Sequence, residues 1–213
     1  MVTRLGKKAG GQSNSAMTTA VMKLTDAEQK ILLGLAREAI SEFVRSGTQP
    51  HVGESSLTPA LREPRGCFVT LTHDGKLRGC IGNTQARDPL FRSVMSNACG
   101  AAFRDTRFSS VRGTEIPELE IEISVLTTPN PLAYASAADL LGKLRPDVDG
   151  VVLKVEGKTA TFLPQVWEKI PIAADFLNEL ARKARLPTSA WRGPDVEVST
   201  YQVESFTNAP AGG

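Results

Sequence analysis

The sequence predicts an α+β protein. Helical and strand periodicities are both present, the strands come as hairpins, and no regular strand-helix-strand succession joins them, which disfavours a doubly wound parallel sheet. The 213 residues suffice for one substantial core or for two small lobes sharing an interface.

Taken in order, residues 1–22 are rich in Gly, Ser, Thr and Ala, carry Arg4, Lys7 and Lys8, and read as a disordered tail. Thr25 and Glu28 fit a capping box, and Ile31, Leu32, Leu35, Ala39, Phe43 and Val44 recur at helical spacing, so a helix is expected over 26–45, stopping near Gly47. Residues 62–83, "REPRGCFVTLTHDGKLRGCIGN", form a hairpin. Asp88 is expected to cap a second helix with Pro89 in its first turn, running through small residues toward Arg104. "LEIEISVL", 119–126, alternates Ile121, Ile123 and Val125 against Glu120, Glu122 and Ser124, as in a half-buried strand or one lining a polar cleft. Ser136 caps a short helix through Leu144. "VVLKVEG" and "KTATFLP" make a second hairpin turning at Glu156-Gly157, and Phe176, Leu177 and Leu180 mark a helix over 172–184. Residues 196–206 read as one final strand, and 208–213 as a second disordered tail.

Composition narrows the partners. With 41% hydrophobic and 23% charged residues and a net charge of +2, nothing argues for a nucleic acid or an anionic membrane. The three cysteines, at 67, 80 and 99, are an odd number without CxxC spacing, a pattern of the reducing cytoplasm. No apolar run approaches bilayer length.

The first hairpin holds the sharpest chemistry. A two-residue turn on Asp74-Gly75 and a three-residue loop on His73-Asp74-Gly75 set opposite faces, because a one-residue slip exchanges them. The three-residue loop segregates better: Cys67, Val69 and Leu71 join Leu77, Gly79 and Ile81, leaving Phe68, Thr70, Arg78 and Cys80 on the other face. Cys67 and Cys99 then read as core thiols, and Cys80 as the reactive or ligand-contacting candidate, beside Arg78. Gly79 and Gly82 permit close approach of a ligand or another backbone or, equally, reflect strand crowding and a bulge after Ile81. Arg65, Arg78 and Arg107 could make an anion site or could pair with acids such as Glu120 and Glu122, themselves a possible carboxylate pair. Two histidines, His51 and His73, are too few for a histidine metal centre, and no metal or cofactor is expected. Gln165 in "FLPQV" can fix a junction or orient a ligand. Trp191 is open between packed and exposed.

"RGCFVTL", "LRGCIGN", "AAFRDTRF", "LEIEISVL", "FLPQV" and "FLNELARKARL", followed by "AW", together resemble the AMMECR family, whose bacterial branch is called AmmeMemoRadiSam system protein A. The resemblance spans about residues 26–206. It implies a larger and a smaller subdomain, two interleaved lobes over 23–207, with a cleft bordered by Leu77–Gly82. It also implies a Memo-like protein and a radical-SAM protein as partners. Ala181 departs from relatives that carry cysteine there. The expected function is that of a cytoplasmic component of such a modification system, holding a small anionic ligand or a modified peptide group. The ligand would meet Arg65, Arg78, Gly79, Gly82, Asn83, Arg107, Glu120 and Glu122. The alternatives are an enzyme using Cys80 as nucleophile or general acid, and a non-catalytic interaction scaffold with Trp191 in an exposed patch.

Overall fold

The computed structural model describes residues 23–208. The tail expected over 1–22, and 209–213 of the second, lie outside the described residues.

Helix α1 spans Asp26–Ser46. The Thr25 side chain accepts from the Glu28 N–H while the Glu28 carboxylate accepts from the Thr25 N–H, the expected capping box, and Gly47 ends the helix at φ 75°. Its buried stripe of Leu32, Leu33, Ala36, Ala39 and Ile40 faces the core. After a short helix α2, Pro59–Arg62, come strands β1, Cys67–His73, and β2, Lys76–Asn83.

The hairpin corrects the expected turn. Asp74 and Gly75 both have positive φ, 52° and 69°, and His73 pairs with Lys76, so the turn has two residues. The register then shifts: Thr72 pairs with Leu77, but Leu71 pairs with Gly79, leaving Arg78 as the extra residue of a β-bulge. The bulge restores the anticipated faces further along, with Val69 opposite Ile81 and Thr70 opposite Cys80. It also turns Leu77 out to solvent, away from the core set in which it was expected.

Helix α3, Leu90–Phe103, starts after Pro89, which occupies the cap itself, so Asp88 lies one residue too early to be the cap. The Asp88 carbonyl instead accepts from Ser93 Oγ. Strand β3, Glu120–Leu126, completes the first hairpin's sheet, and strand β8, Val203–Asn208, flanks it: the order is β2-β1-β3-β8, all antiparallel. One face carries Cys67, Val69, Leu71, Ile121, Ile123 and Val125, all buried, under α1 and α3. Each large apolar side chain removed from water there contributes about 1.5–3 kcal/mol.

The second lobe holds strands β4, Asn130–Pro131, β5, Gly150–Val155, β6, Lys158–Phe162, and β7, Val196–Tyr201, in the order β4-β7-β5-β6. Helices α4, Ala137–Lys143, and α5, Ala173–Lys183, enclose a separate core. There the Trp167 and Phe176 rings stack with centroids 3.7 Å apart. Trp191 is packed in this core, 1% exposed, with Nε1 donating to Asn178 Oδ1, so it forms no exposed patch.

The final strand is two strands. β7 ends at Tyr201, Gln202 crosses, and β8 joins the other sheet, which uses Asn208 where a tail was expected. The crossing runs beside the one from β3 to β4: Thr127 N–H donates to the Gln202 carbonyl, and Gln202 N–H donates to Thr127 Oγ1, each 2.9 Å. The α+β class, the two lobes and the flanking helices agree with expectation. Among the described residues no helix is long and apolar enough to cross a membrane.

Candidate functional site

Strand alternation builds the site. With one face of the first sheet sealed by α1 and α3, the opposite face presents two cross-strand rows. One runs Cys80, Thr70, Glu122, Thr207; the other runs Gly82, Phe68, Ser124, Ser205. Thr70 Oγ1 donates to Cys80 Sγ at 3.3 Å, Ser124 and Ser205 share a hydroxyl hydrogen bond of 2.8 Å, and Thr72 Oγ1 donates to Glu120 Oε2 at 3.0 Å. Cys80, Thr70 and Glu122 are half-buried, and Glu120 is exposed. At the β8 end this face opens into a hollow of about 370 Å³ between the lobes, bounded by Gln202, Val203 and Ser205 on one side and Asp147, Val148, Pro164, Gln165 and Glu168 on the other. Gln165 is thus exposed at the lobe junction.

The cysteines separate as expected. Cys67 is fully buried, Asn97 Nδ2 donates to its carbonyl and approaches its sulfur, and burial pushes the thiol up to about 12. Cys99 is buried and raised for the same reason. Cys80 alone reaches the polar face, and no disulfide joins the three.

The three arginines have different partners. Arg78, at the bulge, donates through Nε to Glu115 Oε1 at 2.9 Å and through its terminal nitrogens to the carbonyls of Ser109 and Ser110, at 2.7 and 3.3 Å. These bonds tie the hairpin to the loop before β3. The Glu115 carboxyl is held down to about 2, first by Arg78 and then by the Arg112 N–H. Arg107 makes a two-bond contact with Asp105, at 2.9 and 2.6 Å, and lies near enough for the charge on Cys80 to help raise it. Asp105 is the centre of this group. Its Oδ2 also accepts the Cys80 N–H at 2.9 Å, and the Arg107 contact, more than that N–H, holds its carboxyl far below the usual range. Arg65 binds Glu63 and lines a second hollow of about 620 Å³ on the helix side of β8, with Lys23, Asp26 and Gln29.

The glycines serve packing. A Cβ on Gly79 would stand 2.1 Å from the Ala101 carbonyl oxygen of α3, and one on Gly82 would stand 2.2 Å from the Cys67 carbonyl oxygen and 2.5 Å from Phe68 Cα. Asn83 is exposed at the end of β2, opposite Cys67. His73 shares a 2.9 Å hydrogen bond with Glu118 near the turn. The structure therefore brings Cys80, Thr70, Glu122 and Arg107 to one region and sends Arg65 and Arg78 elsewhere.

Sequence reasoning did not anticipate Asp105 as a clamp on Cys80 or Ser205, Asp147 and Glu168 at the hollow. Ser205 was hidden because 196–206 read as one strand; nothing local marks Asp147 or Glu168. Among the described residues no group of three or more His, Cys, Asp or Glu is placed to hold a metal ion.

Residues 33–206 match the family model described as AMMECR1. A protein of Methanothermobacter thermautotrophicus is 35% identical over 188 residues, covering 86% of this chain and 95% of its own. One from Methanopyrus kandleri is 35% identical over 192 residues, covering 86% and 90%. The crystal structure of an uncharacterized protein from Pyrococcus horikoshii aligns with a TM-score of 0.75 at 31% identity, covering 90% of this chain and 97% of that one.

Proposed function

The chain belongs to the AMMECR1 family, and from that premise we propose that it is the ligand-holding component of a cytoplasmic modification system shared with a Memo-like protein and a radical-SAM protein. Its ligand, a modified peptide group, lies on the polar sheet face with Cys80 at one end. The observation that carries this reading is the row of Cys80, Thr70, Glu122 and Thr207 on the face opposite the core, with an inter-lobe hollow at its β8 end. A thiol, hydroxyls and a carboxylate suit a neutral or donor-rich group better than a small anion. Arg78 and Arg107 are already engaged by Glu115 and Asp105, so an anion would have to displace an internal carboxylate from either.

Native mass spectrometry of the protein purified together with both partners tests the assignment. A retained ligand or a ternary complex, with the ligand lost in Glu122→Gln combined with Thr70→Val, supports it. Absence of any association with either partner, or unchanged ligand retention in that variant, overturns it.

A second reading has its own observation. Cys80 Sγ stands on the half-open polar face, where a bound group could reach it, and Thr70 Oγ1, 3.3 Å away, fixes its position as a nucleophile or general acid requires. Turnover abolished in Cys80→Ser, with a trapped adduct on that sulfur in the wild type, would select catalysis over holding.

A further inference from the structure

The first sheet has two edges, and the protein treats them differently. At β2 the outward N–H of Cys80 is capped by the Asp105 carboxylate. Among the described residues β8 has no such cap. The Thr127 N–H to Gln202 carbonyl bond fixes the phase of the β3–β8 ladder: Gln202, Glu204, Phe206 and Asn208 direct their main-chain groups toward β3, and Val203, Ser205 and Thr207 direct theirs outward. Among the described residues none of those outward groups has a main-chain or side-chain partner outside the ladder. The strand is six residues long, contains no proline and keeps an unbroken register with β3, from Ile121 opposite Asn208 to Leu126 opposite Val203. Ser205 and Thr207 are exposed.

Both faces beside this edge are hollow. The inter-lobe hollow and the helix-side hollow share Gln202, Val203 and Ser205. A strand added about 4.8 Å beyond β8 would alternate its side chains between the two. The inter-lobe hollow carries two carboxylates, Asp147 and Glu168, and neither takes part in an ion pair among the described residues.

We propose that the free edge of β8 docks an extended peptide segment carrying a lysine or arginine. The segment pairs with the main chain of Val203, Ser205 and Thr207 and places its basic side chain in the hollow bounded by Asp147 and Glu168. Main-chain hydrogen bonds supply the attachment, and the two carboxylates supply the choice of side chain. The site requires nothing of Cys80 and stands if the reading of the polar face fails.

Amide hydrogen exchange on the full chain tests it, with two synthetic peptides of alternating threonine and valine as probes, one bearing a central lysine and the other a central glutamate. The lysine peptide should slow exchange at Val203, Ser205 and Thr207 by about tenfold and bind roughly tenfold more tightly than its glutamate counterpart. Ser205→Pro removes one outward N–H at an edge position where proline is tolerated, and should abolish the protection. Ser205→Ala, which loses the same hydroxyl contact with Ser124, should retain it. Asp147→Asn with Glu168→Gln should bring the two peptides to equal affinity. Equal binding by the wild type, protection elsewhere, retained binding in Ser205→Pro, or protection that grows with protein concentration in the absence of peptide would each overturn the proposal, the last by identifying a second copy of the chain as the occupant.

Discussion

A single missing Cβ decides how β2 and α3 meet. At Gly79 the added carbon would stand 2.1 Å from the Ala101 carbonyl oxygen, and since both sides of that contact are backbone, neither can rotate away. Gly79→Ala is expected to lower stability by about 3 kcal/mol in urea unfolding. Gly142, in α4, has nothing within 4 Å of its added Cβ, so Gly142→Ala should raise stability by about 0.5 kcal/mol through the unfolded chain. Equal effects at the two positions would refute the packing account. The same scale separates the thiols. Cys67 is sealed with its thiol pushed up to about 12, and Cys99 is buried, whereas Cys80 stands on the half-open face. Under native, mildly alkaline conditions iodoacetamide should label one site per chain, and Cys80→Ser should reduce the labelling to none. Labelling that appears only after denaturation would remove Cys80 from any chemistry with a ligand.

At the scale of elements, the bulge at Arg78 gives the hairpin both its turn and its faces. Without it, the two-residue turn on Asp74-Gly75 would carry Cys80 to the core side. The bulged residue is in turn held by Glu115, and that pair has a pH signature. The folded-state value of the Glu115 carboxyl lies at about 2, below its ordinary 4.5, so it contributes stability that is full above 4.5 and is lost as the pH falls toward 2. Allowing for its partial contact with water, the contribution is about 2 kcal/mol at neutral pH. Glu115→Gln should show that loss at pH 7 and a flatter acid limb between 4.5 and 2; a parallel shift of the whole pH profile would disprove the linkage. These particulars also mark what the sequence could reveal. Period-two alternation exposed the buried face of β3, and the capping box located α1, because both are local patterns. The bulge lies at Arg78 and not after Ile81, and no local pattern marks its place; it sets Gly79 against the α3 backbone, a tertiary contact. Arg78 and Arg107 could be identified as cations, but the carboxylates that occupy them come from a loop whose path is set by tertiary contacts.

For the whole molecule, the consequential feature is the pair of crossings at Thr127 and Gln202. The smaller lobe is an excursion of the chain between β3 and β8, so the second sheet uses the consecutive strands β4 to β7 while the first takes β1 to β3 and then β8, and the two lobes enclose separate cores. The run "VEVSTYQVESF" contains no Gly, Pro, Asn or Asp to mark that division, because a strand changing sheets keeps its extended backbone and loses only its neighbours. Val198 and Phe206 are accordingly buried in different cores. The chain crosses between the sheets at two adjacent points, with the inter-lobe hollow between the remaining surfaces, so local unfolding of the smaller lobe is expected to leave β1 and β3 intact. Leu153→Ala creates a cavity in the smaller core and should cost about 3 kcal/mol there. Hydrogen exchange should then accelerate across β5, β6 and β7, while the β1 and β3 amides keep their wild-type protection. Because β8 belongs to the first sheet, its inward amides at Glu204 and Phe206 should follow β3 and not β7, although only Gln202 separates it from β7. Acceleration of β8 together with β7, or of both sheets equally, would show a single cooperative unit and remove the basis for treating the hollow as a joint between two bodies.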